Sequence, residues 1–204
     1  MNDAATITLR FSRCAPPTLK ERWKAHSPLD YSLMICRLTH SPFSHVDLLM
    51  TSESAKQPGL LGASDNPEAP CILGNPRGVA IRPVEYQKFS IRRDAVFQTT
   101  EEIKAAFETF CMAQLGKPFD SSALKPSVFL STTFNRAWRE DLLWFCAELM
   151  GRATEVSKLI EHEYPGVKNR MTPADLLLFL APKLDFKEFW RPIDGLERAG
   201  NWEY

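Results

Sequence analysis

The sequence predicts an α+β fold. An alternating, β-branched segment opens the chain, a strand-like apolar run follows within the first fifty residues, and several later stretches carry helical spacing. These strands and helices mix without the strict alternation of a parallel α/β sheet, which is the pattern of a small antiparallel sheet packed against helices. The 204 residues suit one domain, 1–204, with no internal repeat or low-complexity tract.

The elements follow in order. Residues 5–11 (Ala-Thr-Ile-Thr-Leu-Arg-Phe) alternate and read as a strand. Residues 30–40 place apolar side chains at 31, 34, 35 and 38, a helical spacing, with Asp30 as N-cap and Ser41-Pro42 as the stop. Residues 45–50 (His-Val-Asp-Leu-Leu-Met) read as a buried strand, and 51–78, rich in Pro, Gly, Ser and Asn, as loop around one short strand at 59–63. Residues 78–84 form a further strand, in which Pro83, lacking an N–H, belongs at an edge or an end. The best-defined helix is 100–115. Thr99 and Glu102 have capping-box spacing, Ile103, Ala106, Phe107, Phe110, Cys111 and Leu115 make one stripe, and Gly116 ends it. Another helical stretch leads through Trp138 to Met150. Thr172-Pro173-Ala174-Asp175 then supplies an N-cap, a proline at the first helical position and a first-turn acid for a helix to Leu180.

Composition excludes some functions. Apolar residues make up 44% and charged residues 25%, and 25 Lys plus Arg balance 25 Asp plus Glu. A zero net charge gives no broad basic footprint for nucleic acid or an anionic membrane. No apolar run approaches the ~18 residues of a membrane span, so no integral membrane contact is expected. Residues 1–13 lack a basic stretch followed by an apolar one, so the expectation is a cytoplasmic protein, released if at all by lysis or within a phage particle. The cysteines at 14, 36, 71, 111 and 146 are odd in number and include no Cys-x-x-Cys pair, which suggests neither a disulfide framework nor a zinc site. Cys111 lies in a helical stripe and reads as core. No Gly-rich phosphate loop is present, and no cofactor is implied.

Four histidines limit the chemistry. His26 sits in a polar loop and His162 between Glu161 and Glu163, both surface settings. His40 and His45 straddle Ser41-Pro42 and do not share a helical face as a His-Glu-x-x-His zinc motif requires. His45 differs because it falls inside an apolar strand. With Val46, Leu48 and Met50 on one face, His45 and Asp47 share the other, about 7 Å apart along the strand, so the carboxylate can orient the imidazole directly or through water. A satisfied structural histidine at a sheet edge fits the same pattern. Cys146 stands in Leu-Leu-Trp-Phe-Cys-Ala-Glu-Leu-Met. It is either mid-helix core or, if residues 142–145 are extended, the first residue of a helix, where the N-terminus and a nearby imidazolium favour a thiolate. Periodicity leaves both open.

Five motifs in order carry a resemblance. Thr39-His40-Ser41-Pro42-Phe43-Ser44-His45-Val46-Asp47 resembles the Thr-x-Ser-Pro-aromatic-Ser-His-Val signature of the circularly permuted NlpC-type, papain-like cysteine peptidases and amidases. Leu60-Leu61-Gly62-Ala63, followed by Gly78-Val79-Ala80-Ile81-Arg82-Pro83, is similar to that family's hydrophobic-Glu-Ala and Gly-Val strands. Gly116-Lys117-Pro118-Phe119-Asp120 matches its Gly-x-Pro-Tyr-Asp turn, Trp144-Phe145-Cys146-Ala147-Glu148-Leu149 its aromatic-Cys-Ser-Glu-Leu helix start, and Met171-Thr172-Pro173-Ala174-Asp175-Leu176 its Thr-Pro-x-Asp-Leu element. The likeness spans about residues 30–180.

What the resemblance implies is a permuted papain-like domain in which Cys146, at a helix N-terminus, is the nucleophile and His45 its base. The family's acid, often taken to orient the histidine, is Gly62 here. Ser64 or Asp65 could substitute, but Asp47 is preferred because it shares a strand face with His45. Phe119 and Ala147 replace the family's Tyr and Ser. The implied activity is a cysteine hydrolase that cleaves an amide, thioester or ester through an acyl-enzyme, with a peptide or acyl-group substrate and a cell-wall peptide or similar amide favoured. One rival is a lipid acyl hydrolase or acyltransferase of the lecithin:retinol acyltransferase type, with residues 186–190 (Phe-Lys-Glu-Phe-Trp) as its apolar entry face. Another is a catalytically silent module of a phage or prophage particle, which predicts a buried, unreactive Cys146.

Overall fold

Among the described residues, six strands form one antiparallel sheet, and helices pack on it. The computed structural model describes residues 3–14, 31–50, 58–66, 69–121, 143–161 and 171–190. The strands are β1 (Ala4–Cys14), β2 (His45–Met50), β3 (Gly59–Ala63), β4 (Leu73–Gly74), β5 (Val79–Pro83) and β6 (Phe89–Thr100), and they lie in the order β4-β5-β3-β2-β1-β6. The described helices of eight residues or more are α1 (Tyr31–Thr39), α2 (Glu101–Met112), α3 (Cys146–Ser157) and α4 (Pro173–Leu180). A short α5 (Phe186–Phe189) follows.

Alternation along each strand gives the sheet two faces. Ile7, Leu9 and Phe11 of β1, Val46, Leu48 and Met50 of β2, and Ile91, Ala95 and Phe97 of β6 join one core. The helices complete it with Phe107 and Cys111 of α2, Leu149, Met150 and Ala153 of α3, and Leu176 and Leu180 of α4. Each such Leu, Ile or Phe contributes about 1.5–3 kcal/mol by leaving water. On the opposite face a smaller cluster gathers Leu60, Ala69, Tyr86 and Phe89. Buried polar groups share that face, because the cross-strand pairs Arg10↔Asp47 and Ser12↔His45 put those side chains together.

Several boundaries differ from the sequence expectation. The cap of α2 is Thr100, whose hydroxyl accepts from the Ile103 amide, rather than Thr99, because β6 runs through Thr99 to Thr100. That helix closes at Met112, and a turn carries the chain to Gly116, whose φ of +87° suits a residue without a side chain. Strand β6 itself has no counterpart in the expectation, nor does β4. The late helix matches closely: Thr172 accepts from Asp175 N–H, and the Asp175 carboxylate accepts from Thr172 N–H, a complete capping box. The expected cap Asp30, His26, His162 and the stretch from Trp138 to Leu142 lie outside the described residues.

Arg82 braces β3 against the turn that precedes β5. It is fully buried, and its guanidinium donates to the carbonyls of Gly62 (2.9 Å), Pro76 (3.1 Å) and Gly78 (3.0 Å) while lying 5.5 Å over the Tyr86 ring. No carboxylate pairs with it among the described residues. Its partners lie on β3 and in the turn before β5, so one side chain braces both. Arg82→Met should lower stability by about 2–4 kcal/mol, seen as an earlier urea midpoint. An unchanged midpoint would show that the carbonyls find equivalent partners without it.

Candidate active site

The site starts from the way β2 begins. The Ser44 amide donates to the Ser12 carbonyl at 3.0 Å, which lays the start of β2 beside β1 and brings His45 opposite Ser12. Strand alternation then turns His45 and Asp47 to the same face, away from Val46 and Leu48. Their side chains meet: His45 Nε2 lies 2.9 Å from Asp47 Oδ1. The other carboxylate oxygen, Oδ2, accepts from the Tyr86 hydroxyl at 3.3 Å. That hydroxyl also lies 3.1 Å from His45 Nε2 and accepts from Gln87 Nε2 at 3.3 Å. Because Nε2 is committed to Asp47, Nδ1 is the ring nitrogen available to a thiol.

Cys146 arrives from the helical layer. Trp144 bridges to Phe119, its amide donates to the Pro118 carbonyl at 3.1 Å, and its carbonyl accepts from the Asp120 amide at 3.0 Å. These bonds hold 144–145 extended. Phe145 is the N-cap, at φ −92° and ψ 149°, and α3 begins at Cys146. Of the two arrangements left open by periodicity, the structure adopts the helix start. Phe145 supplies no side-chain cap, so the first-turn amides around the sulfur have no side-chain acceptor from that position. The departures Phe119 and Ala147 are accommodated apolarly: Phe119 packs on Phe145 with ring centres 5.8 Å apart, and Ala147 is buried in the core.

His45 lies within electrostatic reach of both the Asp47 carboxylate and the Cys146 sulfur. Burial by itself would push the imidazolium pKa down. The Asp47 carboxylate and the Cys146 sulfur, through their charge and their hydrogen bonds, outweigh burial and raise it well above 6.5. Arg10 closes the acidic side. It lies opposite Asp47 and forms a fork to Asp94 with both bonds at 2.8 Å, so its position is set by that pair.

The structure brings Cys146, His45 and Asp47 together. It does not bring Ser64 or Asp65. The Ser64 hydroxyl accepts from the Asn66 amide, and Asp65 is exposed. Gly62 explains the arrangement sterically: a Cβ built there would stand 1.9 Å from Asp47 Oδ1, so the carboxylate occupies the space over the glycine. His40 is exposed, with φ 49°, beyond the end of α1. Tyr86 is absent from the sequence expectation, since Glu-Tyr-Gln in a turn matches no motif and only the fold carries it to Asp47.

Among the described residues no group of three His, Cys, Asp or Glu is placed to hold a metal ion, and no helix is long and apolar enough to cross a membrane. No protein-family model and no curated protein matches this chain.

Proposed function

We propose that the chain is a cysteine hydrolase acting on an amide, thioester or ester carbonyl, with a cell-wall peptide or similar amide as the favoured substrate. The observation that carries this reading is His45 bonded to the Asp47 carboxylate and within electrostatic reach of the Cys146 sulfur, which stands at a helix N-terminus. In the reaction, the Cys146 thiolate attacks the carbonyl carbon, and the oxyanion that forms accepts from the Cys146 backbone N–H. The C–N, C–S or C–O bond to the leaving group then breaks, and the His45 imidazolium gives that group its proton. Neutral His45 next takes a proton from water, the hydroxide adds to the acyl carbon, and the C–S bond breaks to release the acid and restore the thiolate. Asp47 keeps the ring oriented and its positive charge compensated throughout.

A second reading rests on one observation: Cys146 is only 1% exposed. Burial of that degree is what a silent structural or assembly module predicts. The lipid acyl-transfer alternative has less behind it. Phe186 (48% exposed) and Trp190 (44%) do face outward, but Phe189 between them is buried edge-on against Phe11 and Phe43, which makes the segment a packing element.

Iodoacetamide labelling, mapped to each cysteine by mass spectrometry across pH, separates the readings. Cys146 is expected to label first and to keep labelling at pH 6, while Cys111, whose thiol burial holds in the neutral form, stays silent. A Cys146 that is silent at every pH would leave the module reading standing.

A further inference from the structure

We infer that Tyr86 is a positioning residue of this site: its hydroxyl holds the Asp47 carboxylate turned toward His45 and thereby sets which ring nitrogen carries the proton that faces the acid. The inference rests on the thiol-hydrolase reading and adds to it a residue outside the Cys–His–Asp set.

The argument is one of donors and acceptors. Ionised Asp47 can only accept. With Oδ1 2.9 Å from Nε2, that nitrogen must carry a hydrogen. The phenol then has one direction in which to donate, toward Asp47 Oδ2 at 3.3 Å, and its own oxygen accepts from Gln87 Nε2 at 3.3 Å and stands 3.1 Å from the His45 Nε2–H. The carboxylate is thus held at both oxygens and cannot rotate away, and Nδ1 is left to take the proton of the thiol. Burial keeps Tyr86 protonated, helped by the Asp47 charge and Cys14 and opposed by Arg82, so the hydroxyl stays a donor through the working range. The ring is fixed separately, edge-on to Phe89 at 5.5 Å and under Arg82. Tyr86→Phe therefore removes the hydrogen bonds and keeps the packing.

The groups facing this network come from every neighbouring element: Asp47 on β2, Arg10 and Cys14 on β1, Arg82 on β5, and Cys146 on α3. None of them donates to Oδ2 in place of the phenol among the bonds described.

The test is the pH profile of Cys146 alkylation by iodoacetamide in the full chain, for the unsubstituted protein, Tyr86→Phe, Asp47→Asn and the double variant, with thermal melting alongside. Tyr86→Phe is expected to move the acidic limb upward and to slow labelling at pH 6 by about three- to ten-fold. On the Asp47→Asn background the same substitution should have little further effect, because the phenol acts through that carboxylate. An unshifted profile in Tyr86→Phe, or an equal shift on both backgrounds, would overturn the assignment. Loss of labelling at pH 6 in the unsubstituted protein would instead overturn the hydrolase reading itself. Gln87→Leu, which leaves the phenol in place, should shift the profile less than Tyr86→Phe, and the reverse ranking also counts against the assignment.

Discussion

His45→Ala should slow alkylation of Cys146 at pH 6 by about ten- to a hundred-fold and lower any turnover by about a thousand-fold or more. The reason is electrostatic. At pH 6 an isolated thiol with an ordinary value of ~8.5 is about 0.3% ionised, so fast labelling there requires the imidazolium that the proposed pair supplies. Part of the gain is offset because a thiolate stabilised in this way is a weaker nucleophile, which keeps the labelling effect below the full ratio of ionised fractions. The sign of the alkaline limb follows from His45. Asp47 and the sulfur overcome burial and raise its pKa well above 6.5, so the proton needed by the leaving group is retained through neutrality. It is lost as pH rises through the raised value. Turnover should therefore hold on the neutral side and fall only in alkali. Unchanged labelling in His45→Ala at pH 6 would dismiss the pair.

How far the sequence discloses this architecture depends on which force decides each element. Strand β2 is legible because one face is wholly apolar, and α4 because Thr172, Pro173 and Asp175 state its start in local chemistry. Strand β6 is not. Its centre reads Arg92-Arg93-Asp94, a polar interruption that looks like loop until Arg10 on the neighbouring strand pairs with Asp94. A long-range ion pair has no local signature. The cap of α2 shifts by one residue for a related reason, since pairing with β1 extends β6 to Thr100 and leaves the next residue to begin the helix. At the site, the shared face of His45 and Asp47 follows from strand period alone. The start of α3 at Cys146 does not, because bonds from the turn near Pro118, 26 residues upstream of Trp144 in sequence, hold the preceding residues extended. Tyr86 is the extreme case, reaching Asp47 from 39 residues away.

Gly62→Ala should be nearly as damaging as loss of Asp47 itself, although it adds a single methyl group. That methyl carbon would stand 1.9 Å from Asp47 Oδ1 and 3.0 Å from its Cγ. The carboxylate has little room to retreat: Asp47 is buried, Tyr86 holds Oδ2, and Arg10 stands across the strand. It must leave His45 Nε2, and the imidazole loses both its orientation and its countercharge. Turnover and pH 6 labelling should fall by about ten- to a hundred-fold, with about 1–3 kcal/mol of destabilisation from the overpacked contact. The same geometry shows why position 62 is a glycine: the Asp47 carboxylate of the neighbouring strand fills the space over it. Exchange is then the decisive comparison. Asp47→Gly combined with Gly62→Glu moves the carboxylate to β3 and frees the space it needs, so it should recover part of the labelling that Asp47→Gly alone loses. If Gly62→Ala keeps the full pH 6 labelling rate, the carboxylate is not what orients His45, and the acidic partner must be sought elsewhere.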